Sequence, residues 1–572
     1  MARRKAVGRQ TDALEVLPGF SAFYGELIRS LHPECELQLH EKSPLPTPPD
    51  HEDVTLLIKC CPQDAKSVDA QVRHLVSELR IRARFCKTIL LADPFEGPYL
   101  RQYDKGSLSL LRSSVDRLQA AGWVDEVWWA ETAPDVIADI NRRWFGAADV
   151  TASHTAEGAP LFAQLWAFDR VETPYLLQMD VDVLIGGADS RHDVIADMKR
   201  ACMASDVWSV GFNIPQTRPG FKPYAGQSDS FAPEVRCGLL HLERIKAHVP
   251  YVNPLSNGRL TWMWHQVLRY AQPLVGMRSV RGGDSRTFYV HPQNEDKEAE
   301  LIERVRDLIG QGCIPDAQQG AWDLDASAPW SYPKRGEDVV FLLFGRETPP
   351  VKLERCLSSL RAQSDQQFGV VIIDDAGNTN LAVELPHRLA WLRERVTLIR
   401  RSTHVGYMTN FREAVERVCT NPDALLVVLD QDDALMHTHV VQQLKAACME
   451  GADLINAPMF RPEKPTALYE VIYELPRQRG GGNVWSHLRA FRKRLFEQVP
   501  EQVWSMAPDP DCLSDFLTMV SMTELARHPM FLDGPYAYWH ERLPYSDDRK
   551  MREATMKAWL FSQPSLAQNS QE

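Results

Sequence analysis

Two short apolar runs end in aspartates, and they constrain the fold more than any other feature of the chain. Leu425-Leu426-Val427-Val428-Leu429 leads into Asp430-Gln431-Asp432-Asp433, and Tyr175-Leu176-Leu177-Gln178-Met179 leads into Asp180-Val181-Asp182. A short continuous aliphatic run reads as a strand covered on both faces of a parallel sheet. Carboxylates gathered at the C-terminal end of such a strand repel one another unless a cation lies between them. Two acidic strand ends therefore point to two metal-assisted sites that handle a diphosphate.

Length and composition narrow the class. At about 150 residues per domain, 572 residues allow three or four domains, or two larger ones. A net charge of -12 argues against a general nucleic-acid binder, which needs a basic face. No apolar stretch reaches about 18 residues, so no transmembrane helix is expected, and peripheral membrane association stays open. Met1-Ala2-Arg3-Arg4-Lys5 is basic but has no apolar segment behind it, unlike a secretory signal. The 11 cysteines include no Cys-x-x-Cys, which fits a reduced, cytoplasmic protein without zinc or a disulfide framework.

Along the chain, residues 1–50 read as an irregular lead-in, with a helical pattern over Phe20–Leu31 and a Pro-rich linker at Pro44–Pro49. Strand and helix patterns alternate over 51–295, beginning at Val54–Cys60. Residues 296–336 read as a helical connector, and alternation restarts over 337–550, leaving 551–572 as a C-terminal helix or tail. Such alternation implies parallel sheets with helices on both faces. The fold class expected is α/β, with two Rossmann-like domains in tandem.

In an open parallel sheet, ligands bind beyond the carboxyl ends of the strands. Asp374-Asp375, after the run Val370–Ile373, and the Asp430–Asp433 cluster both fall there. Residues two apart on a strand share a face, so Asp430 and Asp432 point the same way with Cα atoms ~6.5–7 Å apart. Mg²⁺ and Mn²⁺ suit such carboxylates and complete their shells with substrate phosphates. The competing structural reading is an acidic turn, with Asp433 capping a helix that starts near His439.

Here a family resemblance enters. Phe341-Leu342-Leu343-Phe344-Gly345, the stripe Leu353, Cys356, Leu357 and Leu360, Val371-Ile372-Ile373-Asp374-Asp375, and Leu429-Asp430-Gln431-Asp432-Asp433 occur in that order. Together they make residues 338–548 resemble a family 2 glycosyltransferase of the GT-A (nucleotide-diphospho-sugar transferase) fold. The resemblance implies a nucleotide-sugar donor, a divalent metal (Mn²⁺ or Mg²⁺) and inversion at the anomeric carbon. It implies that Asp374, Asp375, Asp430 and Asp433 contact the nucleotide sugar, and that Asp430 and Asp432 form the metal-binding Asp-x-Asp motif. His540 resembles the late histidine that completes the metal shell. Ser486–Arg492 resembles the family's acceptor-side segment. Asp515 sits where the family carries its catalytic base. Asp509 and Asp511 are rivals for that role, and Asp515 also reads as a helix cap. Trp485, Trp504 and Trp539 are candidates to stack on sugars or to fill the core. The Gln-x-x-Arg-Trp element of processive synthases is absent, and Gly480-Gly481-Gly482 reads as a flexible loop over the site.

Residues 174–187 also resemble a GT-A element, with Asp180 and Asp182 as metal motif and His291 paralleling His540. Arg236–Leu242 resembles the segment that follows the motif. Glu234, Asp229 and Asp284 all remain candidate bases for this half. The function implied is bifunctional, metal-dependent, hexosyltransferase-type transfer to a glycan or glycolipid acceptor in polysaccharide biosynthesis. The alternatives are a degenerate, carbohydrate-binding N-terminal domain serving a single active C-terminal one, or a sugar nucleotidyltransferase. The latter needs a Gly-rich basic loop, which Gly345-Arg346-Glu347-Thr348 matches poorly.

Overall fold

A computed structural model describes residues 47–567 apart from a few single positions and short stretches, chiefly 97–105, 216–230, 294–298, 317–322, 378–384 and 542–545. Of the first 46 residues it describes only two short parallel strands, Leu14–Val16 and Leu37–Leu39, so the helix expected over Phe20–Leu31 lies outside the described residues. Two compact units follow, one over Thr47–Ser331 and one from Tyr332 to Glu572.

The N-terminal unit is built from β1 (Asp50–Cys60), α1 (Val68–Arg80), β2 (Arg84–Ala92), α2 (Leu108–Ala120), β3 (Glu126–Trp129), α3 (Pro134–Phe145) and α4 (Phe162–Arg170). It continues through β4 (Tyr175–Asp180), β5 (Leu184–Gly186), α5 (Val194–Cys202), β6 (Val207–Ile214), β7 (Cys237–His241), α6 (Trp264–Val275), β8 (Arg278–Gly283), β9 (Phe288–Val290) and α7 (Ala299–Gly310). Local sequence sets the helix limits. Proline opens α3, and Gly146, at φ 70°, closes it in a conformation that penalises a Cβ. The seven strands of the main sheet run in the order β8-β6-β7-β4-β1-β2-β3, and β7 is antiparallel to both its neighbours. A separate antiparallel ribbon joins β5 to β9.

The C-terminal unit contains β10 (Val339–Gly345), α8 (Pro350–Arg361), β11 (Gly369–Asp374), β12 (Val396–Arg400), α9 (Tyr407–Arg412), β13 (Leu425–Asp430), β14 (Ala434–Leu435), α10 (Val440–Met449) and β15 (Leu454–Asn456). It ends with β16 (Met459–Phe460), β17 (Arg489–Arg492), α11 (Ser514–Leu525), β18 (Pro529–Phe531), β19 (Tyr538–Trp539) and α12 (Asp547–Ser562). Its sheet order, β18-β15-β17-β13-β10-β11-β12, repeats the first unit position for position, with β17 as the antiparallel strand. The small ribbon is repeated as well, here as β14-β19-β16. In each unit the acidic strand (β4 or β13) lies between the first strand and the antiparallel one. Side chains alternate across the sheet with period two. Val339, Phe341 and Leu343 of β10 enter one core, and Val340, Leu342 and Phe344 enter the other.

Two stretches expected to be peripheral are integral. The region 296–336, read from sequence as a connector, packs within the N-terminal unit as far as Ser331. There Val305 and Ile309 of α7 join Leu184, Phe288 and Val290 in a small core. The stripe Ile302, Val305, Ile309 has the i, i+3, i+7 spacing of a helix with one buried face. The C-terminal tail forms α12, capped by the Ser546 hydroxyl on the Arg549 amide, and buries Met556 and Leu560. Arg477 clamps it. The guanidinium donates to Glu524 of α11 at 2.8 Å and to the Leu560 carbonyl of α12 at 2.6 Å. Among the described residues no helix is long and apolar enough to cross a membrane.

The Arg477–Glu524 pair is buried, with side chains 7% and 3% exposed. Removing one partner of such a pair leaves an uncompensated charge, at a cost of about 3–5 kcal/mol. Glu524→Ala is expected to destabilise the C-terminal unit by about that amount, measured by urea unfolding of the full chain. A change under about 1 kcal/mol, the level of exposed pairs, would remove the clamp from the account.

Candidate active sites

The C-terminal cleft forms where β10, β11 and β13 end together. Phe344 lies in register with Asp430, and Gly345 with Asp374. The middle residue of the Asp-x-Asp motif is the internal brace. Gln431 is buried, donates from Nε2 to the Ile373 carbonyl at 2.8 Å, and accepts from the Thr348 hydroxyl at 3.2 Å. Its amide passes so close to β10 that a Cβ at residue 345 would lie 2.3 Å from Gln431 Oε1, so a larger residue there would displace the brace. β13 ends at Asp430, and the turn that follows keeps Gln431 inward while Asp430 and Asp432 stay partly exposed.

Asp374 and Asp375 meet at the end of β11 and differ in environment. Asp374 accepts from the Gly377 amide at 3.0 Å, and burial raises its carboxyl. Burial also works against the Asp375 charge. The Val405 amide, with Asn410 and His404, outweighs it and holds that carboxyl below the ordinary range. Asp375 thereby pins the turn 404–406, accepting from the Val405 amide at 3.0 Å and the Gly406 amide at 3.2 Å.

Asp430 and Asp432 stand on the open side. Burial pushes the Asp430 carboxyl upward. Arg489 opposes that shift, while Asp433, Asp515 and Asp432 add to it. Asp432 is raised by burial and by Asp433. Arg489, 2% exposed on β17, is the buried cation of this group: it pairs with Asp515 and stands 3.9 Å from Asp430 Oδ2. Asp515 occupies the first turn of α11 but makes no cap bond, since its carboxylate turns to Arg489. The two rival aspartates are engaged elsewhere. Asp511 accepts from the Met408 amide at the start of α9 at 2.7 Å, and Asp509 pairs with Arg552.

Asp433 departs from expectation. It was expected to contact the nucleotide sugar, yet it is 1% exposed and both its oxygens are taken, by His540 Nδ1 at 2.9 Å and the Glu541 amide at 3.2 Å. The turn after β13, closed by the Asp433 amide on the Asp430 carbonyl at 3.0 Å, carries it away from the side where Asp430 and Asp432 stand. It fixes the ring of His540, leaving Nε2 as that ring's other nitrogen. Beside it, His487 is stacked between Tyr538 (centroids 4.6 Å apart) and His540 (4.8 Å apart), and burial keeps it neutral. Ligand atoms of Asp433, His487 and His540 all lie within 4.8 Å of one another.

The expected glycine lid is also different. Gly481 and Gly482 have φ of 93° and 54°, and added Cβ atoms would strike the Phe516 ring at 2.7 Å and the Ile472 carbonyl at 2.1 Å. Gly481 and Gly482 are tightly packed in a turn, and Gly480 is exposed. Trp504 and Trp539 are core residues, while Trp485 is half-buried and stacks on Phe516 at 5.6 Å.

The N-terminal unit encloses a cavity of about 360 Å³ at the equivalent place, between the ends of β1, β2 and β4. Asp180 and Asp182 line it, with Lys59, Asp93, His154 and Glu234 among the other wall residues. Asp180, expected as a metal ligand, is ion-paired: Lys59 Nζ, 7% exposed, lies 2.8 Å from its Oδ1. Asp182 Oδ2 faces His291 Nε2 at 3.6 Å, and His291 Nδ1 bonds Asp323 Oδ1 at 2.7 Å. This repeats the carboxylate–histidine arrangement of Asp433 and His540, with the carboxylate supplied from beyond α7. Asp93, at the end of β2, is pushed up to about 6 by burial, and Phe95 stacks on His154 at 3.6 Å. Of the candidate bases, Glu234 lines the cavity and is paired with Arg281. Asp284 lies outside the cavity wall, bound by Arg286, and Asp229 is outside the described residues.

Lys59 and Asp323 have no role from sequence, and His487 and Arg489 are placed by it only within the acceptor-side segment Ser486–Arg492, not beside the motif. Lys59 and Arg489 need strand register to be placed beside the motif, and Asp323 comes from a loop whose sequence carries no pattern.

Comparison with known proteins adds the family. Residues 344–501 match the model of "Glycosyl transferase family 2". No curated protein matches the chain. Among solved structures, S. aureus TarS 1–349 in complex with UDP-GlcNAc is 14% identical with a TM-score of 0.28, over 36% of this chain and 60% of that one. The mannosyltransferase PcManGT from Pyrobaculum calidifontis, in complex with GDP-Man and Mn²⁺, is 15% identical with a TM-score of 0.31, over 41% of this chain and 66% of that one. The chain thus spans less than two thirds of the length of each. In the second of the two α/β units, the segment 344–501 is a glycosyl transferase family 2 domain.

Proposed function

We propose that the chain is a bifunctional glycosyltransferase, with a nucleotide-sugar donor site in each unit and an inverting C-terminal site. The observation that carries this reading is the repeated strand order, which sets an Asp-x-Asp strand end and a carboxylate-held histidine at the same place in both units. In the C-terminal cleft Asp374 and Asp375 border the donor base and ribose, and Asp430 and Asp432 face its diphosphate. Asp515 takes the proton of the acceptor hydroxyl as that oxygen bonds to the anomeric carbon and the bond from carbon to diphosphate breaks. Arg489 holds Asp515 in place.

The donor set fits a divalent ion, Mn²⁺ or Mg²⁺. Carboxylates crowded around Asp430 with one buried arginine leave negative charge to compensate, and each histidine is oriented through its second nitrogen, as metal-bound histidines are. Asp432 and His540 would hold the ion in the C-terminal unit, and Asp182 and His291 in the N-terminal one. Bound there, it supplies charge neutralisation for the departing diphosphate. The acceptor is a glycan or glycolipid, consistent with assembly of a polysaccharide.

Asp515→Asn is expected to lower C-terminal turnover about 10²–10⁴-fold while donor affinity stays within about twofold. Nucleotide release and equilibrium donor binding separate the two effects, and unchanged turnover would move the base elsewhere. Asp432→Ala and Asp182→Ala should each abolish one of two transfer activities, read from products on a panel of nucleotide sugars with Mn²⁺. Loss of both activities from either variant would mean that the units do not act as separate enzymes.

A further inference from the structure

The two Asp-x-Asp strands sit in equivalent registers, yet their neighbours carry opposite solutions to one electrostatic problem. In the C-terminal unit the residue beside Asp430 on the first strand is Phe344, and the buried cation comes from the antiparallel strand, where Arg489 pairs with Val428. In the N-terminal unit the residue beside Asp180 on the first strand is Lys59, and the position equivalent to Arg489 is Gly238, which pairs with Gln178. A Cβ there would lie 3.1 Å from the Val210 carbonyl and 3.4 Å from the Glu234 Cβ, leaving little room for a long side chain. The cation has changed strands.

The change alters what the cation does. Arg489 is shared between Asp430 and Asp515, and Lys352 favours the Asp432 charge without overcoming burial and Asp433, so the C-terminal cleft keeps negative charge to be balanced from outside. Lys59 is directed at Asp180 at 2.8 Å, is held from behind by the Val235 carbonyl at 2.7 Å, and lines the cavity itself. The N-terminal motif thus arrives with its first carboxylate already neutralised, and a diphosphate entering that cavity meets an ammonium. An anion approaching unbalanced carboxylates is repelled, and that penalty is smaller here.

Resting on the reading of the N-terminal cavity as a donor site, we propose that Lys59 is its positioning residue. It stands in for the divalent ion at Asp180, so that this site binds a nucleoside diphosphate without metal whereas the C-terminal site requires metal. The ion held by Asp182 and His291 then strengthens binding there without being a condition for it.

Calorimetric titration of the full chain with UDP and with GDP, in Mn²⁺ and in EDTA, tests this. Two nucleotides per chain are expected in Mn²⁺ and one in EDTA. Lys59→Met should weaken the metal-free binding roughly 10–100-fold, the loss of one charge-assisted contact, and Lys59→Arg should restore it. Circular dichroism and retained C-terminal binding in Mn²⁺ report that the variants are folded. Two sites in Mn²⁺ and none in EDTA would overturn the role of Lys59 while leaving the two-site reading intact. A single site in Mn²⁺ would overturn both. Metal-free binding indifferent to Lys59→Met would overturn the role of the lysine.

Discussion

Like charges at a buried strand end must be balanced, and the architecture of each unit is arranged around that need. Burial alone disfavours the carboxylates that end β13, and their mutual repulsion adds to it. The sheet answers with a cation from a neighbouring strand, Arg489 in one unit and Lys59 in the other, each nearly closed to solvent. Both depend on register. A one-residue slip would turn every side chain of the strand to the other face and separate the cation from its partner. Gln431, bridging to β11 and to Thr348, holds that register where the motif bends away from the sheet.

Much of this was legible in the sequence, for physical reasons. Aliphatic runs such as Leu425–Leu429 have one stable use in a chain of this composition, as interior parallel strands, and the aspartates that follow must then lie at the rim. The alternation of strand and helix patterns gave the α/β class and two units. Other features depended on contacts far apart in sequence. Adjacent aspartates look alike on paper, but the turn after β13 leaves Asp432 partly exposed and buries Asp433 onto His540. Asp323 reaches His291 from a segment that reads as connector. A run of three glycines signals freedom in an isolated chain, yet Gly481 and Gly482 serve here as places where the backbone packs against Phe516 and Ile472.

The repeated topology lets two clefts share one plan and differ in the charged groups that line them. Strand order decides where a carboxylate, a histidine and a cation can meet, but leaves open which strand contributes the cation. The N-terminal cavity is walled by Asp93, His154 and the stacked Phe95 where the C-terminal cleft presents Asp374 and Asp375. Those positions border the base in the proposed donor pose, so the two units offer different chemistry to whatever nucleotide enters.

The hydrogen bond that Asp323 accepts from His291 has a practical consequence for dissecting the molecule. That carboxylate, and the α7 side chains that close the small core over β5 and β9, lie after the last sheet strand. An excised amino-terminal half trimmed at residue 295, where a pattern of strands and helices would suggest cutting, would lose the group that sets its histidine. Its termini should be chosen by this bond, and the piece should run through Ser331.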